Sequence, residues 1–254
     1  MARTGHVRAV AVSGAVVALM ATAVACGASA GDDKDPEHRS FALQGRTLTV
    51  DSDDSALELV AADVDEVQVT RWFDGRVVMG GEPRATWEMK DDGLKLREKC
   101  SGFVAQCSTK YRIEVPRGIS VVVKDGDGSV TAQGFEESLR IRTGDGAVRV
   151  TDSTGPLELH TGDGSVRATG IESRQVRAGT RDGSVRLELD VVPDLVETRS
   201  DDGSLSIGLP HETYRVTAET DDGSVDVSVP RDESSAHVVT ARTKDGSVTV
   251  RTAN

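Results

Sequence analysis

Between Asp127 and Asp245 the sequence returns seven times to Asp-Gly, then Ser or Ala, then Val or Leu: Asp127-Gly128-Ser129-Val130, Asp145-Gly146-Ala147-Val148, Asp163-Gly164-Ser165-Val166, Asp182-Gly183-Ser184-Val185, Asp202-Gly203-Ser204-Leu205, Asp222-Gly223-Ser224-Val225 and Asp245-Gly246-Ser247-Val248. Successive Asp positions lie 18, 18, 19, 20, 20 and 23 residues apart. A period near twenty marks stacked units, each too small to bury a hydrophobic face alone. Whatever the chain does, it folds as a series of coils.

The flanks of each Asp-Gly are equally regular. Upstream runs an alternating pair such as Leu139-x-Ile141, Leu157-x-Leu159 or Val239-x-Ala241, and downstream another, such as Val148-x-Val150 or Leu205-x-Ile207. Period-two alternation predicts half-buried strands whose apolar residues share one interior. Between them the Gly accepts a bend and the Asp carboxylate satisfies turn donors. In six of the seven coils a Thr or Ser (Thr143, Thr161, Thr180, Ser200, Thr220, Thr243) stands two residues before the Asp, with Asp125 at that place in the first. Each coil therefore reads as strand, corner, strand and a variable return, the longest return being Pro230 to Ala236.

A meander of hairpins and a β-solenoid both accommodate this pattern. In the meander, Asp-Gly would be a two-residue turn between antiparallel neighbours. In the solenoid it is a corner, and equivalent residues stack in parallel from coil to coil. Near-constant coil length and repeated corner residues favour an all-β, single-stranded β-solenoid with coils of 18 to 23 residues. Seven coils at about 4.8 Å each would form a rod of roughly 34 Å.

Residues 119–254 form this regular solenoid, and residues 45–118 read as degenerate coils with an atypical N-terminal cap. Leu48 to Leu59 has the layout of a coil with Ser55 in place of Gly, and Asp92-Gly93-Leu94-Lys95-Leu96 reads as a remnant. Trp72, Phe73 and Trp87 add bulk that the later coils lack. Such bulk suits the end of a stack, where an open edge must be covered. Residues 31–44, acidic and containing Pro36, read as a flexible tether.

Residues 1–30 read as a leader: Arg3, His6 and Arg8, then an apolar run from Ala9 to Ala25, then small residues around Cys26. At about seventeen residues the run is short for a membrane span and suits an export signal. Ala23-Val24-Ala25-Cys26 resembles the lipobox of bacterial lipoproteins, although Ala23 stands where Leu is usual. Lipidation of Cys26 would anchor the protein at the cell membrane. Cleavage at Ala23-Val24-Ala25 or Ala28-Ser29-Ala30 is the alternative and would give a secreted protein. In an exported chain Cys100 and Cys107 are expected to form a disulfide rather than a metal site, since zinc needs four ligands.

The chain as a whole is acidic, with 30 Lys+Arg against 42 Asp+Glu and a net charge of -12. That balance argues against nucleic acid as a partner. Taken together, the Thr-x-Asp-Gly-Ser-Val-x-Val coils, the Cys100 to Cys107 segment leading into Tyr111-Arg112-Ile113-Glu114-Val115-Pro116, and the closing Arg242 to Val250 resemble the putative-adhesin domain of bacterial envelope proteins, a β-strand-repeat domain of unknown function. The resemblance covers about residues 45 to 254. It implies a right-handed β-helix-like fold, a place at the cell envelope and no established reaction.

Two outward features are candidates for function. The corner carboxylates Asp127, Asp145, Asp163, Asp182, Asp202, Asp222 and Asp245 would stack as a ladder able to hold calcium, although turn chemistry alone accounts for them. Arg149, Arg167 and Arg186 fall at one outward position on three successive coils, with Arg140, Arg142, Arg177 and Arg199 on the neighbouring face. Stacked cations repel unless carboxylates such as Glu158, Glu188 and Glu197 interleave, or an anionic ligand such as a cell-wall polymer lies across them. His160, His211 and His237 lack ligand spacing, and neither a nucleophile elbow nor a phosphate loop is present, so no catalytic residue and no cofactor is assigned. The expectation is an exported, lipid-anchored, non-catalytic adhesin-like solenoid that binds wall polymer or another envelope protein. The alternatives are a carbohydrate-active β-helix enzyme and a calcium-binding repeat protein.

Overall fold

The computed structural model describes residues 35–253. The leader and Cys26 lie outside them. Strands β1 (Glu37–Phe41), β2 (Thr47–Ser52), β3 (Ala56–Ala62), β4 (Val67–Gly80), β5 (Arg84–Lys90), β6 (Gly93–Lys99) and β7 (Gly102–Pro116) build one end. The regular body follows as β8 (Ser120–Asp125), β9 (Val130–Gln133), β10 (Leu139–Thr143), β11 (Val148–Ser153), β12 (Leu157–Thr161), β13 (Val166–Ile171), β14 (Gln175–Gly179), β15 (Val185–Leu189), β16 (Leu195–Arg199) and β17 (Leu205–Leu209). Two long strands, β18 (Arg215–Val227) and β19 (Val238–Thr252), close the chain, and no helix occurs among the described residues.

The strands stack as two ladders joined at the corners. One ladder runs β5-β6-β2-β8-β10-β12-β14-β16-β19-β18, and the other runs β1-β4-β7-β3-β9-β11-β13-β15-β17-β19-β18. Pairing is parallel and in register through the body, for example Leu139↔Leu157 and Val148↔Val166, so the fold is a β-solenoid and not a meander. The alternating Val, Leu, Ile and Ala of both ladders point into one core: Ile141, Leu159, Leu187, Ile207 and Val250 are fully buried. Each such side chain contributes about 1.5–3 kcal/mol, so small branched residues suffice when they recur on every rung.

At the corner, rungs approach so closely that a side chain has no room. A Cβ on Gly146 would lie 1.8 Å from the Gly128 carbonyl oxygen, and one on Gly203 would lie 1.7 Å from that of Gly183. Close approach, rather than backbone angle, is what the seven positions share. The Asp-Gly glycine takes positive φ (135° at Gly246) only where Arg181, Asp201, Asp221 or Lys244 precedes the Asp; where Gly126, Gly144 or Gly162 stands there, it does not. The Thr and Ser before the corner have a defined task. Thr161 Oγ1 lies 3.3 Å from the Gly144 carbonyl oxygen and 2.7 Å from that of Gly146, and Thr143, Thr180 and Thr243 donate in the same way one rung back. The Gly144 carbonyl also accepts the Gly162 amide of the next rung, so each hydroxyl adds a second donor there and bridges to the Asp-Gly carbonyl beside it.

Rung order departs from chain order at both ends. β19 pairs with both β16 and β17 on one side and with β18 on the other, so the last coil of the sequence lies inside the one before it. Thr220 accordingly donates to the Lys244 and Gly246 carbonyls, and Val216, Ala218 and Val227, expected in the core, are only half-buried, with Val225 exposed. The return through Pro230 to Ala236 is long because it must step back over a rung. At the other end β2–β3 sits between β6–β7 and β8–β9, and Ser55 does occupy a corner, its carbonyl facing Gly128.

A two-stranded antiparallel ribbon covers the N-terminal end. Its strands are β4 continuing into β5 and β6 continuing into β7; its base lies on one ladder and its closing turn on the other. Asp91 and Asp92, both at positive φ, form that turn, so Asp92-Gly93 is a hairpin turn and not a corner remnant. Asp92 accepts hydrogen bonds from the Gln44 and Gly45 amides. Residues 37–41, expected to belong to a tether, instead form β1 on the edge of β4. Arg71 fastens the assembly: its guanidinium donates to the Ala85 carbonyl, pairs with Glu37 at 2.6 Å and stacks over Trp87 at 4.5 Å. Trp87 in turn meets Tyr111, ring centres 6.3 Å apart. Midway along the ribbon Cys100 and Cys107 are joined by a disulfide.

Candidate functional site

The two ladders treat their arginines differently. On the first, carboxylates interleave: Arg140 and Arg142 reach Glu158 at 2.7 and 2.8 Å, Arg177 reaches Glu197 at 2.6 Å, and Arg242 reaches Glu219 at 2.8 Å. Burial pushes the Glu158 carboxyl upward, but the hydrogen bonds from Arg142 and Arg140 win and hold it below its ordinary value. Arg199, on β16 between Arg177 and Arg242, has no carboxylate within 4.0 Å among the described residues, nor do Arg84 and Arg215 toward the ends of this ladder.

On the second ladder Arg149, Arg167 and Arg186 lie in register on β11, β13 and β15, as their spacing predicts. All three side chains are exposed. Arg186 has only a distant contact with Glu188, 3.9 Å, because that carboxylate is held by Arg251 at 2.5 Å. Among the described residues, Arg149 and Arg167 have no carboxylate within 4.0 Å. The guanidinium groups border a shallow groove of about 320 Å³ whose walls also carry Ser165, Ser184, Ser204 and Ser206, and no acidic residue lines it. A row of free cations beside hydroxyl donors, on strands about 4.8 Å apart, is suited to a repeating anionic ligand.

The serines were hidden in the sequence by their place in the corner motif. The signal is Ser165-Val166-Arg167 and Ser184-Val185-Arg186, since residues two apart on a strand share a face. Ser204 continues the row, and its hydroxyl accepts from Ser247 at 3.0 Å.

The corner carboxylates are exposed, and the last four stack in register as Asp182, Asp202, Asp245 and Asp222. A hydrogen bond shared with Asp202, with further repulsion from Asp222 and Asp221, raises the Asp245 carboxyl above its ordinary value. Asp163 is taken by Arg181. Among the described residues, the acidic, His and Cys side chains that converge within 4.8 Å are Glu98, Cys100 and Cys107, and both sulfurs of that group are committed to the disulfide. His160 lies on the first ladder, 3.9 Å from Glu158; burial pulls its imidazole below the ordinary value against the attraction of that carboxylate. His237 contacts the Pro193 carbonyl oxygen at 2.9 Å, far along the chain from His160, and His211 is an exposed loop residue.

One buried acid stands apart. Asp125 occupies the place where later coils put Thr, its two carboxyl oxygens shielded from water and without a well-formed hydrogen bond. Burial pushes its pKa up to about 7, with nearby Ser52 and Gly128 pulling the other way. In register it stands directly beside Thr143 of the next rung.

With ladders, corners and cap in place, the chain can be compared with known proteins. The Toastrack family (DUF4097) matches residues 22–254, nearly the whole sequence. The chain belongs to this family. Toastrack domains are β-solenoids of unknown function, in keeping with the stacked ladders. A solved structure from Clostridium sporogenes ATCC 15579, a protein that carries the name putative cell adhesion protein, shares 13% identity over 86% of this chain and 99% of its own, with a TM-score of 0.41. No curated protein gives a significant match.

Proposed function

We propose that this Toastrack protein is exported, anchored to the cell membrane through lipid on Cys26, and binds an anionic cell-envelope polymer along Arg149, Arg167 and Arg186 without catalysing a reaction. The observation that carries the reading is the in-register row of exposed guanidinium groups, Arg149 and Arg167 without a carboxylate in reach and Arg186 with only the distant Glu188, beside a ladder on which Arg140, Arg142 and Arg177 are each paired. Holding like charges in a row raises the free energy of the empty protein, and an anionic chain lying across them offsets that cost. The groove carries none of the paired carboxylates that glycoside hydrolysis uses, which supports binding over hydrolysis.

The test compares retention of the full-length protein on immobilised poly(glycerol phosphate) and on a neutral polysaccharide, in low and high salt. Salt-sensitive retention on the phosphate polymer alone is expected. Equal retention on both, or retention that survives replacement of all three arginines by Gln, would overturn the groove. Anchoring is checked separately by incorporation of labelled palmitate, which Cys26→Ser should abolish.

A further inference from the structure

The ribbon that covers the N-terminal end carries a surface that neither the groove nor the anchor uses. Where β4 passes into β5 and β6 into β7, the ribbon turns across the corner of the stack, stapled by the Cys100–Cys107 disulfide. At that bend Val78, Met79, Phe103 and Val104 are 56, 84, 84 and 49% exposed. They account for all the large exposed hydrophobic side chains among the described residues except Val225 at the other end of the rod. Phe103 and Met79 sit across from one another in the ribbon, between the pairs Val78↔Val104 and Gly80↔Gly102. Close approach of the two strands calls for glycine there, since a Cβ on Gly80 would lie 2.3 Å from the Ser101 carbonyl oxygen.

Charge and chain geometry identify the occupant. The residues flanking the bend are exposed Arg76, Arg84 and Lys99 against a single exposed Glu82, a local excess of cations on a chain whose net charge is -12. Apolar side chains ringed by Lys and Arg suit the surface of an anionic bilayer. β1 runs antiparallel to β4 with Glu37 opposite Arg71, so the chain leaves the fold at its N-terminus heading toward the bend. From Arg71 to Met79 is eight residues, a contour of about 26 Å. From Glu37 back to Cys26 is eleven residues, which span up to about 36 Å when extended. Cys26 can therefore lie level with the bend.

We infer that the Val78–Met79 and Phe103–Val104 bend inserts into the outer leaflet of the membrane that holds Cys26, giving the rod a second membrane contact. This inference rests on the anchoring reading above. A lipid chain alone lets a protein swivel about its tether, whereas two separated contacts fix the direction in which the rod projects and the side on which its arginine groove faces.

The test uses the full-length protein bound to vesicles of phosphatidylglycerol and phosphatidylethanolamine whose acyl chains carry bromine. Phe103→Trp places an emitter at the bend, and the parent protein, with Trp72 and Trp87, supplies the reference. Emission from Phe103→Trp is expected to shift to the blue and to be quenched well beyond the parent. In the Cys26→Ser background, Met79→Asp with Phe103→Asp is expected to lower vesicle affinity about tenfold. Both side chains point into solvent, and circular dichroism confirms that the fold persists. Palmitate label without quenching at position 103 overturns the inference and leaves the anchor standing. Quenching without label keeps the bend as a membrane contact but overturns its role as the second one, since the anchor is then removed. Protection of position 103 by a captured protein, with no bromine quenching, also overturns it.

Discussion

The two ladders of this solenoid share a core, a period and a set of corners, yet through the regular body one side pairs Arg140, Arg142 and Arg177 with carboxylates and the other leaves Arg149 and Arg167 without them. Glu158 bridges Arg140 and Arg142 and Glu197 receives Arg177, while Arg149 and Arg167 stand directly opposite one another on adjacent strands with no carboxylate lining the groove beside them. Stacking multiplies any residue placed at an outward position, favourable or not. A face can be made inert by alternating sign from rung to rung, or reactive toward anions by repeating one sign. The contrast teaches that function in such a rod is written in which outward positions repeat without compensation.

The hardest way to break the comparison is at the corner that holds both ladders in phase. Gly203→Ala would drive a Cβ into the Gly183 carbonyl, and a loss of about 3 kcal/mol or more is expected in denaturant unfolding. A loss under about 0.5 kcal/mol would mean that the corners do not set the rung spacing. Next, replacing Arg149, Arg167 and Arg186 together by Gln should weaken retention on poly(glycerol phosphate) about a hundredfold, each charged hydrogen bond contributing modestly. Thermal stability should hold or rise, because the change removes repulsion. The same replacement at Arg140, Arg142 and Arg177 should leave retention within about twofold and lower stability by no more than about 1 kcal/mol, since those pairs are exposed.

Smaller effects sharpen the account of the corner. Thr161→Val removes the donor to Gly144 and Gly146, and a loss of about 1–2 kcal/mol is expected. Asp125 gives a dependence on pH. Its folded pKa lies above that of an unfolded Asp, so the unfolded chain releases the proton first as pH rises. Stability associated with this group is present at acid pH and falls between about pH 4 and pH 7. Asp125→Asn should therefore raise the melting temperature at pH 8, by about 4 °C, and change it little at pH 4. A gain of equal size at both values would show that ionisation is not the cause.

Much of this architecture is legible in the residues. Val-x-Val on both sides of Asp-Gly gives the inward faces, the period gives the stack, and the shared place of Arg149, Arg167 and Arg186 directly after Val148, Val166 and Val185 gives their row, because parallel in-register pairing turns place in the coil into position. The Thr before the corner was visible as a repeat, but its purpose was not, since the carbonyls it serves belong to another rung. The order of rungs was concealed for a related reason. Coils with the same corner and the same alternation fit beside one another in any order, so nothing local distinguishes β18 from β19 as the outermost. The one trace was the extra length from Pro230 to Ala236. Asp92-Gly93 misled because a hairpin turn and a solenoid corner favour the same dipeptide. Ion pairing on the first ladder and its lack on the second depend on what stands one rung away, which a reading along the chain does not display.

The inverted order at each end has a consequence for how the rod comes into being and how it comes apart. A stack assembled coil upon coil as the chain emerges could be complete up to any point, but here β18 must wait, one side unfilled, until β19 slides in beside it. β19 is thus a wedge that closes the structure, and before it arrives this end of the rod is unfinished. In reverse, force applied to β19 cannot peel away an outer layer, because that strand is gripped by neighbours on both sides. That end is secured like a cord whose final length has been tucked under its own previous turn.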